Sequence, residues 1–186
     1  MLGYALCGSF CTLSRSLETM RDLLSAGWEI QPIMSPYVYS ADTRFTEAST
    51  FRRRVAELCG REIIHTVEGA EPLGPKEPLE ALVIAPCTGN TLAKIANGIT
   101  DTSVTMAAKA HLRADRPLVI ALASNDAMSQ NLPNVANLLV RKSVYFVPMR
   151  QDDPTHKPHS LIADFSRIPE CIEAALLGRQ MRPVFL

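Results

Sequence analysis

The residues of this chain best suited to chemistry gather where apolar runs stop. Ala81 to Ala85 is unbroken apolar sequence that ends at Pro86-Cys87-Thr88-Gly89-Asn90-Thr91, and apolar residues then return at helical spacing at Leu92, Ile95, Ala96 and Ile99. The pattern predicts a buried strand feeding a helix. At such a junction the first helical N–H groups lack partners and carry the positive end of the dipole, so Thr88, Asn90 and Thr91 could help hold an anion or a polar ring edge. A plain N-cap at Thr88 is the competing reading.

Three further clusters repeat the arrangement: Gly8-Ser9 after Leu2–Cys7, Ser35-Pro36 after Glu29–Met34, and Ser124-Asn125-Asp126 after Leu118–Leu122. The first has only Gly8 where a dinucleotide fingerprint needs three glycines, so it suits a single phosphate better than a pyrophosphate; a structural turn is the alternative. Among the cations, Arg44 lies close to the expected strand ends and is a candidate ligand contact. Lys76 could meet an anion or stay in water, and Arg52, Arg53 and Arg54 read as a solvated helix face.

Positioning these clusters requires a series of alternating elements. A helix of about four turns is expected from Thr12 to the stop at Gly27, carried by Leu13, Leu17, Met20, Leu23 and Leu24. A second follows from Phe51, Val55 and Leu58 up to Gly60, and a short third strand is expected over Glu62–Val67. Residues 68–78, rich in proline and glycine, read as a loop. Asp101-Thr102-Ser103 caps a helix facing the core through Val104, Ala107, Ala108 and Leu112; Leu132, Val135, Ala136 and Leu139 mark another; Val144–Val147 is the last expected strand. Gln151 to Ser160 reads as an ordered loop able to fold over a ligand or a neighbouring subunit, with a flexible surface loop as the rival, and a helix is expected from about Ser166 to Leu177. Strands alternating with helices imply an α/β three-layer sandwich around a mostly parallel sheet, Rossmann-like or flavodoxin-like, with ligands at the carboxyl ends of the strands.

Composition narrows the partners. The 186 residues fit one domain, 1–186, and 19 basic residues balance 19 acidic ones, so no global field draws the chain to nucleic acid or an anionic membrane. Five scattered cysteines without a C-x-x-C pair support neither a disulfide framework nor a metal site. No apolar run approaches the ~20 residues of a membrane span, and no signal peptide is recognisable, so a cytoplasmic protein is expected.

Pro86-Cys87-Thr88-Gly89-Asn90-Thr91 with Ala93-Lys94-Ile95-Ala96-Asn97-Gly98-Ile99 and Asp101 resembles the signature of the flavoprotein superfamily that includes cysteine decarboxylases and prenylated-flavin synthases. Ala70-Glu71-Pro72-Leu73-Gly74-Pro75-Lys76, Met106-Ala107-Ala108-Lys109-Ala110, Ser124-Asn125-Asp126-Ala127 and Gln151-Asp152-Asp153-Pro154 with Lys157-Pro158 are similar to its dipicolinate synthase B-subunit branch. The resemblance implies homo-oligomeric assembly and work in the mother cell of a sporulating bacterium. It implies a partner A subunit carrying NAD(P), and oxidation of a dihydrodipicolinate-type intermediate to dipicolinate. It also implies FMN, with Gly8, Ser9 and Thr12 flanking its phosphate, Ser35 at the second strand end, Pro86, Thr88, Gly89, Asn90 and Thr91 lining the ring, and Ser124 and Asn125 in a second ring-contacting turn.

A dicarboxylate ring losing hydride needs donors for both carboxylates and a base for the proton. Arg44, Lys76 and Lys94 are the candidate cations, and Asp126 is the candidate base, the alternative being a helix cap. Two departures from the family bear on this. His65 stands alone outside any decarboxylase-like motif and reads as structural, which disfavours a stand-alone decarboxylase. Gly89 replaces the alanine common in the wider family. A binding or scaffolding subunit without chemistry of its own is the remaining alternative.

Overall fold

The computed structural model describes residues 1–74, 76 and 79–186. Its centre is a seven-stranded sheet. Five parallel strands run β1 (Leu2–Leu6), β2 (Ile30–Met34), β3 (Ala81–Cys87), β4 (Leu118–Ser124) and β5 (Val144–Phe146), and an antiparallel hairpin of β6 (Met149–Asp153) and β7 (Lys157–Ala163) completes it. In space the order is β2-β1-β3-β4-β7-β6, with β5 beside β4. One edge of β4 is therefore shared: Leu118 to Ile120 pair with β5, whereas Ala123 and Ser124 pair with Ile162 and Leu161 of β7. The hairpin is thereby bonded to the carboxyl end of the sheet.

Strand periodicity divides the core into two layers. Leu2, Tyr4 and Leu6 of β1 and Val83 and Ala85 of β3 pack beneath α1 (Leu13–Ser25), α3 (Ala48–Cys59) and α8 (Ile168–Leu176). Ala5 and Cys7, with Leu82, Ile84 and Cys87, face the opposite layer of α5 (Gly89–Ala96), α6 (Ser103–Leu112) and α7 (Leu132–Leu139). Helix starts follow local chemistry: Thr88 caps α5, and Thr102 forms a reciprocal capping box with Thr105 at α6.

The expected α/β sandwich is present, with departures that have local causes. Glu62–Val67 is not a strand. Ile64 makes an isolated bridge to Ile33 beside Pro32, a residue with no N–H to extend the ladder, and Thr66 then caps a helical turn, α4 (Val67–Ala70). The expected loop begins instead with α4 and a 3-10 turn over Glu71–Leu73 that buries Ala70 and Leu73; Pro75, Glu77 and Pro78 of that stretch lie outside the described residues. A short helix, α2 (Pro36–Ser40), follows Ser35 directly. Val144–Val147 is not the last strand, because the charged segment after it pairs as β6 and β7. Ile99 and Leu132 are exposed rather than core residues, while Arg52 lies over the Tyr39 ring and bonds its carbonyl.

The turn after β3 needs support that an ordinary strand would not. Pro86 cannot donate to the ladder, and the β3–β4 register slips between Ile84 and Cys87. Substitutes come from both neighbours: the Cys7 backbone donates to the Pro86 carbonyl at 3.2 Å, and the buried Ser16 hydroxyl of α1 donates to the Ala85 carbonyl at 2.6 Å. Ser16→Ala would strand a buried acceptor and is expected to cost about 1–3 kcal/mol. Urea unfolding of the two proteins checks this, and coincident midpoints would contradict the assigned role.

Candidate functional site

A cavity of about 500 Å³ opens at the carboxyl edge of the sheet. Three turns form it, following β1, β3 and β4, as the position of a ligand site in a parallel sheet requires. Gly8, Ser9 and Thr12 line the first wall, Thr88, Gly89 and Asn90 the second, and Ser124, Asn125 and Asp126 the third. Arg44 reaches the same space from the segment before α3.

The remaining sequence candidates lie elsewhere. Buried Ser35 caps α2, accepting from the Val38 backbone, and is not on the lining. Pro86 and Thr91 stand behind the cavity wall. The Thr91 backbone and the Thr88 hydroxyl bond each other, and the Thr91 hydroxyl donates to Cys7 Sγ at 3.4 Å, so Thr91 braces the turn from within. Burial pushes the Cys7 thiol up to about 11, which keeps it a neutral partner. Lys94 is turned to Asp101, meeting both carboxylate oxygens at 2.8 and 2.9 Å and holding that carboxyl below its ordinary range. Lys76 is exposed and does not line the cavity. His65 stacks on Tyr39 with ring centroids 3.7 Å apart, and its Nδ1 faces the Ile63 carbonyl, away from the lining.

The second and third walls are locked together. Asp126 accepts from the Ser124 hydroxyl on Oδ1 and from Asn131 Nδ2 on Oδ2, the latter at 2.9 Å. Asn134 Nδ2 donates to Asn131 Oδ1, and Asn97 Nδ2, at the end of α5, donates to Asn134 Oδ1. This chain of amides runs from the carboxylate to the far end of the neighbouring helix. It passes so close to Gly89 that a methyl group there would meet Ser124 Oγ, and would lie 2.6 Å from Asn131 Nδ2 and 2.7 Å from Asp126 Oδ1. Glycine at this turn is thus explained: the space of an alanine methyl is occupied by the Asp126 cluster.

The segment expected as an ordered loop over a ligand is the β6–β7 hairpin, and it brings Asp152, Lys157, Ser160 and the following Leu161 to the lining, none of them a site candidate in the sequence. Lys157 Nζ meets Asp152 Oδ2 at 2.6 Å, and this carboxylate raises the lysine's pKa. Phe10 and Phe45 add apolar surface. The Lys157-Pro158 pair is legible as a family feature, but charge and proline hide the strand that aims it. Among the described residues no group of three or more His, Cys, Asp or Glu could hold a metal ion, and no helix is long and apolar enough to cross a membrane.

A model of the family described as Flavoprotein matches residues 2–174. The B subunit of dipicolinate synthase from Bacillus subtilis (strain 168) is 40% identical over 185 residues, covering 100% of this chain and 92% of that protein. The crystal structure of the dipicolinate synthase B subunit from Bacillus halodurans superposes with a TM-score of 0.91 at 41% identity, over 100% of this chain and 95% of that one. The FMN-dependent cysteine decarboxylase SpaF shares the fold, with a TM-score of 0.68 at 24% identity over 94% and 95% of the two chains.

Gly89→Ala is expected to force the Asp126 cluster aside, destabilising the protein by about 1–3 kcal/mol and weakening whatever occupies the cavity. Chemical denaturation measures the first effect. A variant as stable as the parent would show that the cluster yields freely.

Proposed function

The chain belongs to the flavoprotein family, in its dipicolinate synthase B-subunit branch, and on that premise we propose that it binds FMN and acts with an A subunit to oxidise a dihydrodipicolinate-type intermediate to dipicolinate. The observation that carries this reading is the meeting of three strand-end turns on one cavity whose donors suit the two ends of such a cofactor. Beside Gly8, Ser9 and Thr12, α1 begins a 13-residue helix whose dipole favours a phosphate. Around Gly89 and Asn90, the unpaired N–H groups at the start of α5 and the small amide side chain suit a polar ring edge. Phe10 offers an apolar face. Bound FMN would supply a two-electron acceptor at this site.

The chain's own residues would bind and orient the substrate and take its proton. Oxidation to an aromatic ring removes a hydride equivalent and a proton. Asp126 is the proposed proton acceptor: Ser124 and Asn131 fix both its oxygens in place, and each oxygen keeps a second acceptor site. Arg44, with no carboxylate partner among the described residues, is the proposed donor to one substrate carboxylate. NAD(P) on the A subunit is the proposed terminal acceptor, and assembly with further copies of this chain completes the proposal. Lys76 and Lys94 have no part in it.

Two measurements test the reading. Asn90→Leu should weaken FMN at least about tenfold by removing an amide and filling the ring end of the cavity; unchanged affinity in a fluorescence titration would place the flavin elsewhere. Co-purification with the A subunit should give repeated turnover to dipicolinate only when both chains are present, since one flavin per chain allows this chain alone a single turnover. Turnover by the A subunit alone at the same rate would leave this chain without a catalytic role.

A further inference from the structure

We propose that Lys157, on the β6–β7 hairpin, receives one carboxylate of the dicarboxylate substrate by exchanging it for Asp152. The inference rests on the dicarboxylate reading above and assigns that substrate's second anchoring residue. Lys157 and Asp152 both line the cavity and face each other across the hairpin. From Lys157 the strand continues through Ser160, Leu161 and Ile162, which also line the cavity, and Leu161 and Ile162 pair with Ser124 and Ala123 of β4. The lysine is thus carried on backbone bonded to the strand whose end presents Asp126.

The tip that holds the pair is ordered by its own bonds. Asp153 accepts from the His156 backbone and ring, both at 3.0 Å, and Gln151 Nε2 donates to the Pro158 carbonyl at 3.0 Å. Cys11, on the turn after β1, lines the same cavity as Lys157, so the hairpin and that turn border one space.

Charge and exposure then favour exchange over a permanent pair. The lining carries Arg44 and Lys157 against Asp126 and Asp152. A ring with two carboxylates can satisfy both cations once Asp152 swings away, leaving Asp126 for the proton. The side chains of Lys157 and Asp152 are 50% and 35% exposed, and ion pairs that wet are weak, so separating them costs little. A carboxylate delivered inside the cavity replaces the lost partner in a less hydrated setting, where a charge-assisted bond is stronger. A ring with a single carboxylate can take Arg44 and leave the Lys157–Asp152 pair undisturbed, so the exchange selects for dianions.

Calorimetric titration of dipicolinate and of the monocarboxylate picolinate into the FMN-supplied chain tests this. The parent should bind dipicolinate more tightly than picolinate. Lys157→Gln should weaken dipicolinate by about ten- to a hundredfold, towards the picolinate value, with picolinate and FMN affinities moving by less than about threefold. Lys157→Arg, which keeps the charge, should retain most of the dipicolinate affinity. Asp152→Asn should tighten dipicolinate in the parent and have no effect in the Lys157→Gln background. Unchanged dipicolinate affinity in Lys157→Gln, or an Asp152→Asn effect that survives there, overturns the exchange while leaving the proposed reaction intact. A parent that binds FMN but neither pyridine carboxylate overturns both.

Discussion

The contact between Gly89 and the Asp126 cluster governs the cavity. Two strand-end turns, after β3 and β4, can close on each other only because the first has no side chain at the point of approach. Into that space the second turn places a carboxylate with both oxygens bonded, and the bonds pass through Asn131 and Asn134 to Asn97. A methyl group at the turn would separate the walls. The support reaches further back: Pro86 interrupts the β3 ladder, and the Cys7 backbone and the Ser16 hydroxyl take over the bonding at the base of the same turn. Polar side chains therefore fix the second and third walls, whereas the sheet beneath rests on apolar burial.

That division explains how much of the molecule is legible in its residues. Buried parallel strands are short continuous apolar runs, and three of them here stop at a small polar cluster, so Leu2–Cys7, Ala81–Ala85 and Leu118–Leu122 announce both the sheet and the edge at which a parallel sheet takes ligands. The clusters after β1, β3 and β4 do converge. The one after β2 does not, since Ser35 is consumed as a helix cap, a role with the same residue preference as a binding turn. Lysines are harder to place. Lys94 shares a helix with the signature residues, yet its partner Asp101 lies beyond the helix end, a pairing that spacing alone does not show. The hairpin is opaque for a different reason: Gln151 to Ser160 is mostly exposed, so it lacks the alternation that betrays a half-buried strand, and its pairing is set by tertiary contact with β4.

The arrangement of the site bears on which reaction it suits. His65 is stacked on Tyr39, and Gly89 has a carboxylate packed against it. A fixed carboxylate beside a ring-sized cavity suits removal of a proton from a ring becoming aromatic better than it suits loss of carbon dioxide, in which the electrons left on carbon would meet a negative charge. In the proposed reaction, substrate carboxylates and catalytic carboxylate need separate surroundings, and the cavity lining has them: cations at Arg44 and on the hairpin, the proposed base Asp126 on the turn after β4.

The central claim is that flavin and substrate meet in this cavity, and the visible spectrum of the wild-type chain examines it most directly. The chain purified with its natural cofactor should show a flavin band at one equivalent per chain, and anaerobic addition of the dihydro substrate should bleach it. A colourless chain that takes up no added FMN, or a flavin band that substrate leaves unchanged, would contradict the account.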